Sequence, residues 1–114
     1  MTEQDYTDAI ANIISTEGDV PLEAISLIDA AVQAHPASAS LWQQRAHLIQ
    51  LGPEDSPHPL EEALASYQRA LEIDPENEDI LEDIAHFHYA VMDDEIEALK
   101  WFAKAASMKN CERE

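Results

Sequence analysis

Basic side chains are what this sequence has least of. Six Lys and Arg stand against 24 Asp and Glu in 114 residues, a formal net charge of −18. A chain so charged lacks the positive face that holds nucleic-acid backbone or an anionic membrane, so neither is expected as a partner. Glycine is also scarce, at two residues, and aromatics make up only 6%. That disfavours a sheet protein with many tight turns and leaves the frequent Ala, Leu, Glu and Ile to build helices. No apolar run reaches the length of a membrane span, and the opening Met-Thr-Glu-Gln-Asp has neither the basic nor the apolar region of a secretory leader. The single Cys111 cannot close an internal disulfide, which fits a reducing compartment. The expectation is a cytoplasmic protein of one domain, 1–114, with a modest continuous core.

What is present is helical period. The stretch from Leu60 to Pro75 places Ala63, Tyr67 and Ala70 at i, i+4 and i+7, on one face, with two small residues flanking a large one. A neighbouring helix can approach closely there while the ring fills the gap. Pro75 ends the run because it lacks an N–H. Ala24, Ile28, Ala31 and Pro36 repeat the spacing upstream, and Ala98, Phe102 and Ala105 repeat it downstream, with Asn110 in the proline's place.

Around these stretches the sequence predicts six helices. The first runs from Glu3 to Glu17, capped by Thr2 with Asp5 three residues on, carrying Ile10, Ala11 and Ile14 inward and ending at Gly18. Asp19 caps a second helix, with Pro21 in its first turn, which runs to about Ala34. A third starts near Ser38 or Ser40, carries Leu41, Trp42, Ala46 and Ile49, and stops at Gly52. A Pro-rich loop through Pro59 precedes the fourth helix. The fifth carries Ile80, Leu81, Ile84, Ala85 and His88. Asp93 and Asp94 precede the sixth, Glu95 to about Met108.

The helices fall into three pairs in register. Small residues of the first helices, Ala11, Ala46 and Ala85, are spaced by 35 and then 39 residues. Those of the second helices, Ala24, Ala63 and Ala98, are spaced by 39 and then 35. Four extra residues in the Pro-rich loop account for both longer intervals, leaving a period of 35. This period and pattern resemble the tetratricopeptide repeat (TPR), most closely at Trp42, Ala46, Gly52, Ala63, Tyr67, Ala70 and Pro75. Thr7, His88, Met92 and Asn110 depart from it. The resemblance implies an all-α fold of three antiparallel helix pairs stacked as a short right-handed solenoid, with units at about 3–36, 38–75 and 78–109.

No catalytic or cofactor motif is found: no Gly-rich phosphate loop, Cys-x-x-Cys or His-Glu-x-x-His. Glu82 and His86 share a helix face, but His88 lies about 200° round from His86, so the two histidines cannot ligate one ion. Eleven acids and no base lie between Arg69 and Lys100. Within that run, Asp93, Asp94 and Glu95 lack the spaced ligands and glycine of a calcium loop and read as a helix start. The expectation is a non-enzyme with no cofactor or metal.

In TPR domains the first helices line a concave groove that binds a peptide or helix. The resemblance places Asp5, Asp8, Asn12 and Ser15 there from the first unit. Gln43, Gln44, His47 and Gln50 follow from the second, and Asp79, Glu82, Asp83, His86 and Tyr89 from the third. A subgroup that grips C-terminal carboxylates uses Lys, Asn and Arg. Here Asp8, Gln44, Asp79 and Asp83 stand at such places and only Asn12 fits, so an acidic tail would meet like charge. A basic protein or peptide suits this groove, with Tyr89 as its anchor. The function implied is a small acidic adaptor or chaperone-like binder; the alternative is a dedicated inhibitor or immunity protein masking a basic enzyme. A second surface is predicted on the last helix. Leu99, Trp101, Ala106 and Met108 form a terminal apolar contact for self-association or docking, unless the stems of Lys100, Lys104 and Lys109 cover it.

Overall fold

Two identical turns set the pitch of the chain. His35 and Asp74 each precede a proline, whose ring forces the preceding residue out of helical geometry. They adopt nearly the same conformation, φ −132° with ψ 66° and 75°, and each N–H bonds the carbonyl four residues back, Ala31 and Ala70, at 2.9 Å. Three residues on, Ser38 and Asn77 restart the helix. The Ser38 hydroxyl accepts from the Leu41 N–H, and the Asn77 side chain accepts from the Asp79 and Ile80 N–H groups.

The computed structural model describes residues 1–17, 20–52 and 57–112, the side chains of 16–17 and 109–112 excepted. Gly18 and Asp19, Pro53 to Ser56, and the side chains of Lys109, Asn110 and Cys111 therefore lie outside what is described. Six helices follow in order: α1 Glu3–Glu17, α2 Leu22–Ala34, α3 Ala39–Leu51, α4 Leu60–Ile73, α5 Glu78–Ala90 and α6 Glu95–Glu112. They form three successive hairpins in a body of 40 × 30 × 22 Å. No strand is present among the described residues.

Local chemistry explains most boundaries. Thr2 and Asp5 form a reciprocal box: the Asp5 N–H donates to the Thr2 hydroxyl and the Thr2 N–H to the Asp5 carboxylate. Asp94 caps α6 by accepting from the Glu97 N–H at 3.1 Å. Asp93 takes a left-handed φ of 53°, which Asp tolerates better than most side chains. Pro21 is the N-cap of α2 rather than a member of its first turn, because its extended ψ of 166° precedes the first helical residue. Likewise α6 continues past Met108 to Glu112, since no proline stands at Asn110 to stop it.

The small–large–small faces are the core. Ala24, Ala31, Ala63, Ala70, Ala98 and Ala105 are all buried, and Tyr67 is 1% exposed. Burial of each large apolar side chain stabilises by about 1.5–3 kcal/mol. One cluster joins Ile10, Ile25, Ile28 and Val32 to Leu41 and Leu48 of α3, and another joins Ile49, Tyr67, Ile80, Ile84 and Phe87. Trp42 touches both and makes them continuous. The α3–α4 and α5–α6 hairpins are close, whereas α1 meets α2 over a smaller face. Of the three residues expected inward on α1, Ile10 is fully buried and Ile14 half-buried, but Ala11 is exposed.

Candidate functional site

Helix α3 places polar side chains on two sides, and they behave differently. On one side Gln43, His47 and Gln50 project toward α5 and α4. Gln43 Nε2 donates to Asp83 Oδ2 at 2.6 Å, and His47 Nε2 donates to the same oxygen at 3.1 Å. No described residue occupies Oδ1. Burial pushes the Asp83 carboxyl upward. The bonds from His47 and Gln43, with the His47 and His86 rings nearby, outweigh it and leave it below the ordinary carboxylate value. Gln50 Nε2 donates to the Tyr67 hydroxyl at 2.7 Å. Burial, and then the Asp83 charge, raise the Tyr67 pKa against the effect of Gln50, so the hydroxyl stays protonated. His47, Gln50, Leu51, Tyr67, Asp83, His86 and Ala90 enclose an open cavity of about 300 Å³. The His86 ring stands edge-on to Phe102 at 5.0 Å.

Of the thirteen groove positions expected, His47, Gln50, Asp83 and His86 meet at this cavity, and Gln43 supports it from behind. Gln44 and Glu82 are half-buried and Asp79 is exposed, and none of the three lines the cavity. Asp5, Asp8, Asn12 and Ser15 lie on α1 and do not line the cavity. Asp5 is committed to the cap, where the Thr2 N–H and then its hydroxyl hold the carboxyl below its ordinary value. Asp8 accepts from Gln4 at 2.7 Å. Tyr89 belongs to a separate groove of about 270 Å³ with Glu95, Ala98, Leu99 and Phe102. The cavity floor is Tyr67, whose hydroxyl a purely packing role for that residue overlooks.

On its other side α3 buries a charge. Arg45 is only 8% exposed. Its Nε meets Asp29 Oδ1 of α2 at 2.9 Å, and its Nη1 meets Glu62 Oε2 of α4 at 3.4 Å and donates to the Ser66 hydroxyl. The guanidinium also lies over the Trp42 ring, 5.8 Å from its centre. His58 Nε2 is 2.6 Å from Asp29 Oδ2 and 3.5 Å from Arg45 Nη2. One nitrogen cannot donate to the first and accept from the second, so the short contact assigns the proton to Nε2, donating to Asp29. This cluster is absent from the sequence reading. A signal existed: Arg45 holds the register position of Ile10 and Ile84, both fully buried.

The terminal surface is corrected at one residue. Trp101 turns inward onto the second core cluster, beneath the Lys104 ammonium at 5.5 Å. Its position on α6 matches that of Ser66 on α4, which is also buried and accepts from Arg45 of its own hairpin. Leu99 and Ala106 are exposed and Met108 is half-buried, so the lysine stems do not cover Leu99. Among the described residues no three His, Cys, Asp or Glu are placed to hold a metal, and no helix is long and apolar enough to cross a membrane.

The architecture is that of a helical-repeat solenoid, a class built to present surfaces to other proteins. A family model described as TPR repeat matches residues 60–91, across α4 and α5. No curated protein matches the sequence. Among solved structures, the MamA RS-1 ArsTM double mutant is similar at 18% identity and a TM-score of 0.77, over 96% of this chain and 57% of that one. A crystal structure of MamA is similar at 16% identity and a TM-score of 0.77, over 98% of this chain and 61% of that one. The chain thus spans about three fifths of the length of these structures, and at such identities the likeness is one of fold. The TPR-repeat match lies on α4 and α5, and the fold over nearly the whole chain is that of a TPR-like helical solenoid.

Proposed function

We propose that this is a non-catalytic binding module whose concave cavity takes a basic segment of a partner protein. One observation carries the reading. Asp83 is half-buried, lines the cavity and is kept ionised; Gln43 and His47 bond one of its oxygens, and no described residue bonds the other. A lysine or arginine entering there meets a preset carboxylate with a depressed pKa, in a chain of net charge −18. His47, His86 and the Tyr67 hydroxyl add hydrogen-bonding groups around it. Exposed acids at Asp79 and elsewhere contribute approach rate more than affinity, because surface pairs are worth about 0–1 kcal/mol. Acidic steering of this kind serves an adaptor that holds a basic peptide.

Selection from a random displayed peptide library tests this. Bound sequences should be enriched in Lys and Arg, and titration calorimetry should show Asp83→Asn weakening them roughly tenfold, the effect of losing about 1.4 kcal/mol of a charge-assisted bond. Peptides without basic enrichment, or affinity indifferent to Asp83→Asn, would remove the proposal.

A further inference from the structure

Two histidines line the Asp83 cavity, His47 from α3 and His86 from α5, and both are exposed. His47 Nε2 lies 3.1 Å from Asp83 Oδ2, the oxygen that Gln43 also bonds. From α4 the group against His47 is the Tyr67 ring, met edge-on at 5.5 Å. From α6 the group against His86 is the Phe102 ring, which does not titrate. On α5 itself Glu82 stands one turn before His86. Among the described residues no Lys or Arg lines the cavity.

Imidazole is the side chain that changes charge between about pH 5 and 8. Neutral, His47 donates its Nε2–H to the carboxylate and carries no charge of its own. A second proton, on Nδ1, turns that hydrogen bond into an ion pair with Asp83. A cation arriving from a partner must then share the carboxylate with an imidazolium already seated on it. Protonated His86 adds another positive charge at the same cavity. One carboxylate then faces two imidazolium ions, and the sign of the lining reverses. Burial raises the Asp83 carboxyl, while the bonds from His47 and Gln43 and then the charges of both rings lower it, so each ring is felt at the carboxylate. By reciprocity, a cation held at Asp83 makes both imidazolium ions less favourable.

From this juxtaposition we propose that the cavity is gated by pH: it holds a basic segment while His47 and His86 are neutral and releases it as they take up protons. The gate rests on the reading of the cavity as a site for basic segments. It works through the protein and not through the partner, because Lys and Arg keep their charge across this range. Asp83 is held below its ordinary value, so mild acid acts on the imidazoles and not on the carboxylate. His35, His58 and His88 do not line the cavity, and they supply an internal reference for the general change in charge.

The probe is an end-capped peptide of alternating Lys and Arg, titrated into the protein by calorimetry at physiological salt. Its affinity for the unaltered chain should fall roughly tenfold or more between about pH 7.5 and about pH 5.5. Midway between them, binding should expel protons, seen as an enthalpy that changes with the ionisation heat of the buffer. His47→Gln with His86→Gln puts amides at both places and removes their titration. Whatever the affinity of this double variant at the higher pH, its fall should shrink to less than about threefold. Equal affinity at both pH values, or an undiminished fall in the double variant, overturns the gate. If Asp83→Asn still weakens the peptide at the higher pH in either case, the basic-segment reading stands without it. A peptide that does not bind at the higher pH, or binds with no regard to Asp83→Asn, removes that reading and the gate together.

Discussion

The two sides of α3 use the same kinds of group to opposite ends. Toward α5, Gln43 and His47 hold Asp83 by one oxygen and leave the rest of the cluster open to a cavity. Toward α2 and α4, Arg45 is bonded by Asp29, Glu62 and Ser66 and lies over the Trp42 ring, with His58 against Asp29, and this cluster too borders an open cavity, of about 310 Å³. A buried guanidinium is tolerated only if its donors are satisfied inside the fold, and satisfied donors have little left for a ligand. Both clusters border a cavity, but the Arg45 donors are spent inside the fold, so the second is a tie that joins α2, α3, α4 and the loop before α4, while the first keeps a carboxylate oxygen that no described residue bonds. Polarity alone does not mark a site; unspent polarity does.

The largest expected effect breaks the tie. Arg45→Ala should destabilise by about 2–4 kcal/mol in urea unfolding, because it strips Asp29 and Glu62 of their cation and opens a cavity; their partial exposure keeps the loss from being larger. Arg45→Met should recover at least about 1 kcal/mol of that. It fills the volume, Asp29 keeps His58, the Ser66 hydroxyl keeps its bond to the Glu62 carbonyl, and the register position holds Ile in both other hairpins. Equal losses for Ala and Met would mean that charge, not volume, dominates here.

The next effect is on the open side and has a pH signature. Asp83→Asn should cost about 0.5–1.5 kcal/mol near neutrality. The native carboxyl lies below its ordinary value of 3.8, so the unfolded chain binds the proton more readily. Asp83 thus stabilises the fold fully above that ordinary value, and the contribution disappears as pH falls through the native one. The gap between the original protein and the variant, measured by urea unfolding, should narrow steadily below about pH 4. A gap that stays constant down to pH 3 would show that the bonds to Gln43 and His47 do not depend on ionisation.

How much of this was legible in sequence follows from the range of the forces involved. Thr2–Asp5, Ser38, Asn77 and Asp94 caps, and the turns before Pro36 and Pro75, are set by neighbours in the chain and appear where local chemistry puts them. The inward faces of α2, α4 and α5 are equally readable, since helical period carries them. What failed depends on how closely helices approach. Ala11, expected inward, is exposed, and Trp101, expected on the outer surface, packs on the second core cluster. The Arg45 cluster draws on residues 13 to 21 positions distant, brought together only by the stacking of three helices. Asp83 lies on α5 as helical period expects, but its commitment to Gln43 and His47 is a tertiary fact.

The smallest expected effect isolates burial as the variable. Arg69 Nη1 lies 2.9 Å from Glu72 Oε2, the same separation as Arg45 Nε from Asp29 Oδ1. Distance and chemistry are matched, but Arg69 and Glu72 are both well exposed while Arg45 is not. In water the attraction is offset by solvation of each ion and by the entropy of holding two long side chains together. Arg69→Ala should therefore change the unfolding free energy by less than about 0.5 kcal/mol, partly repaid by the better helix propensity of alanine. Added salt should erase even that, while leaving the Arg45→Ala loss mostly intact, because a pair out of water is poorly screened. If Arg69→Ala proved as damaging as Arg45→Ala, burial would not be what sets the Arg45 tie apart from an exposed pair of the same length.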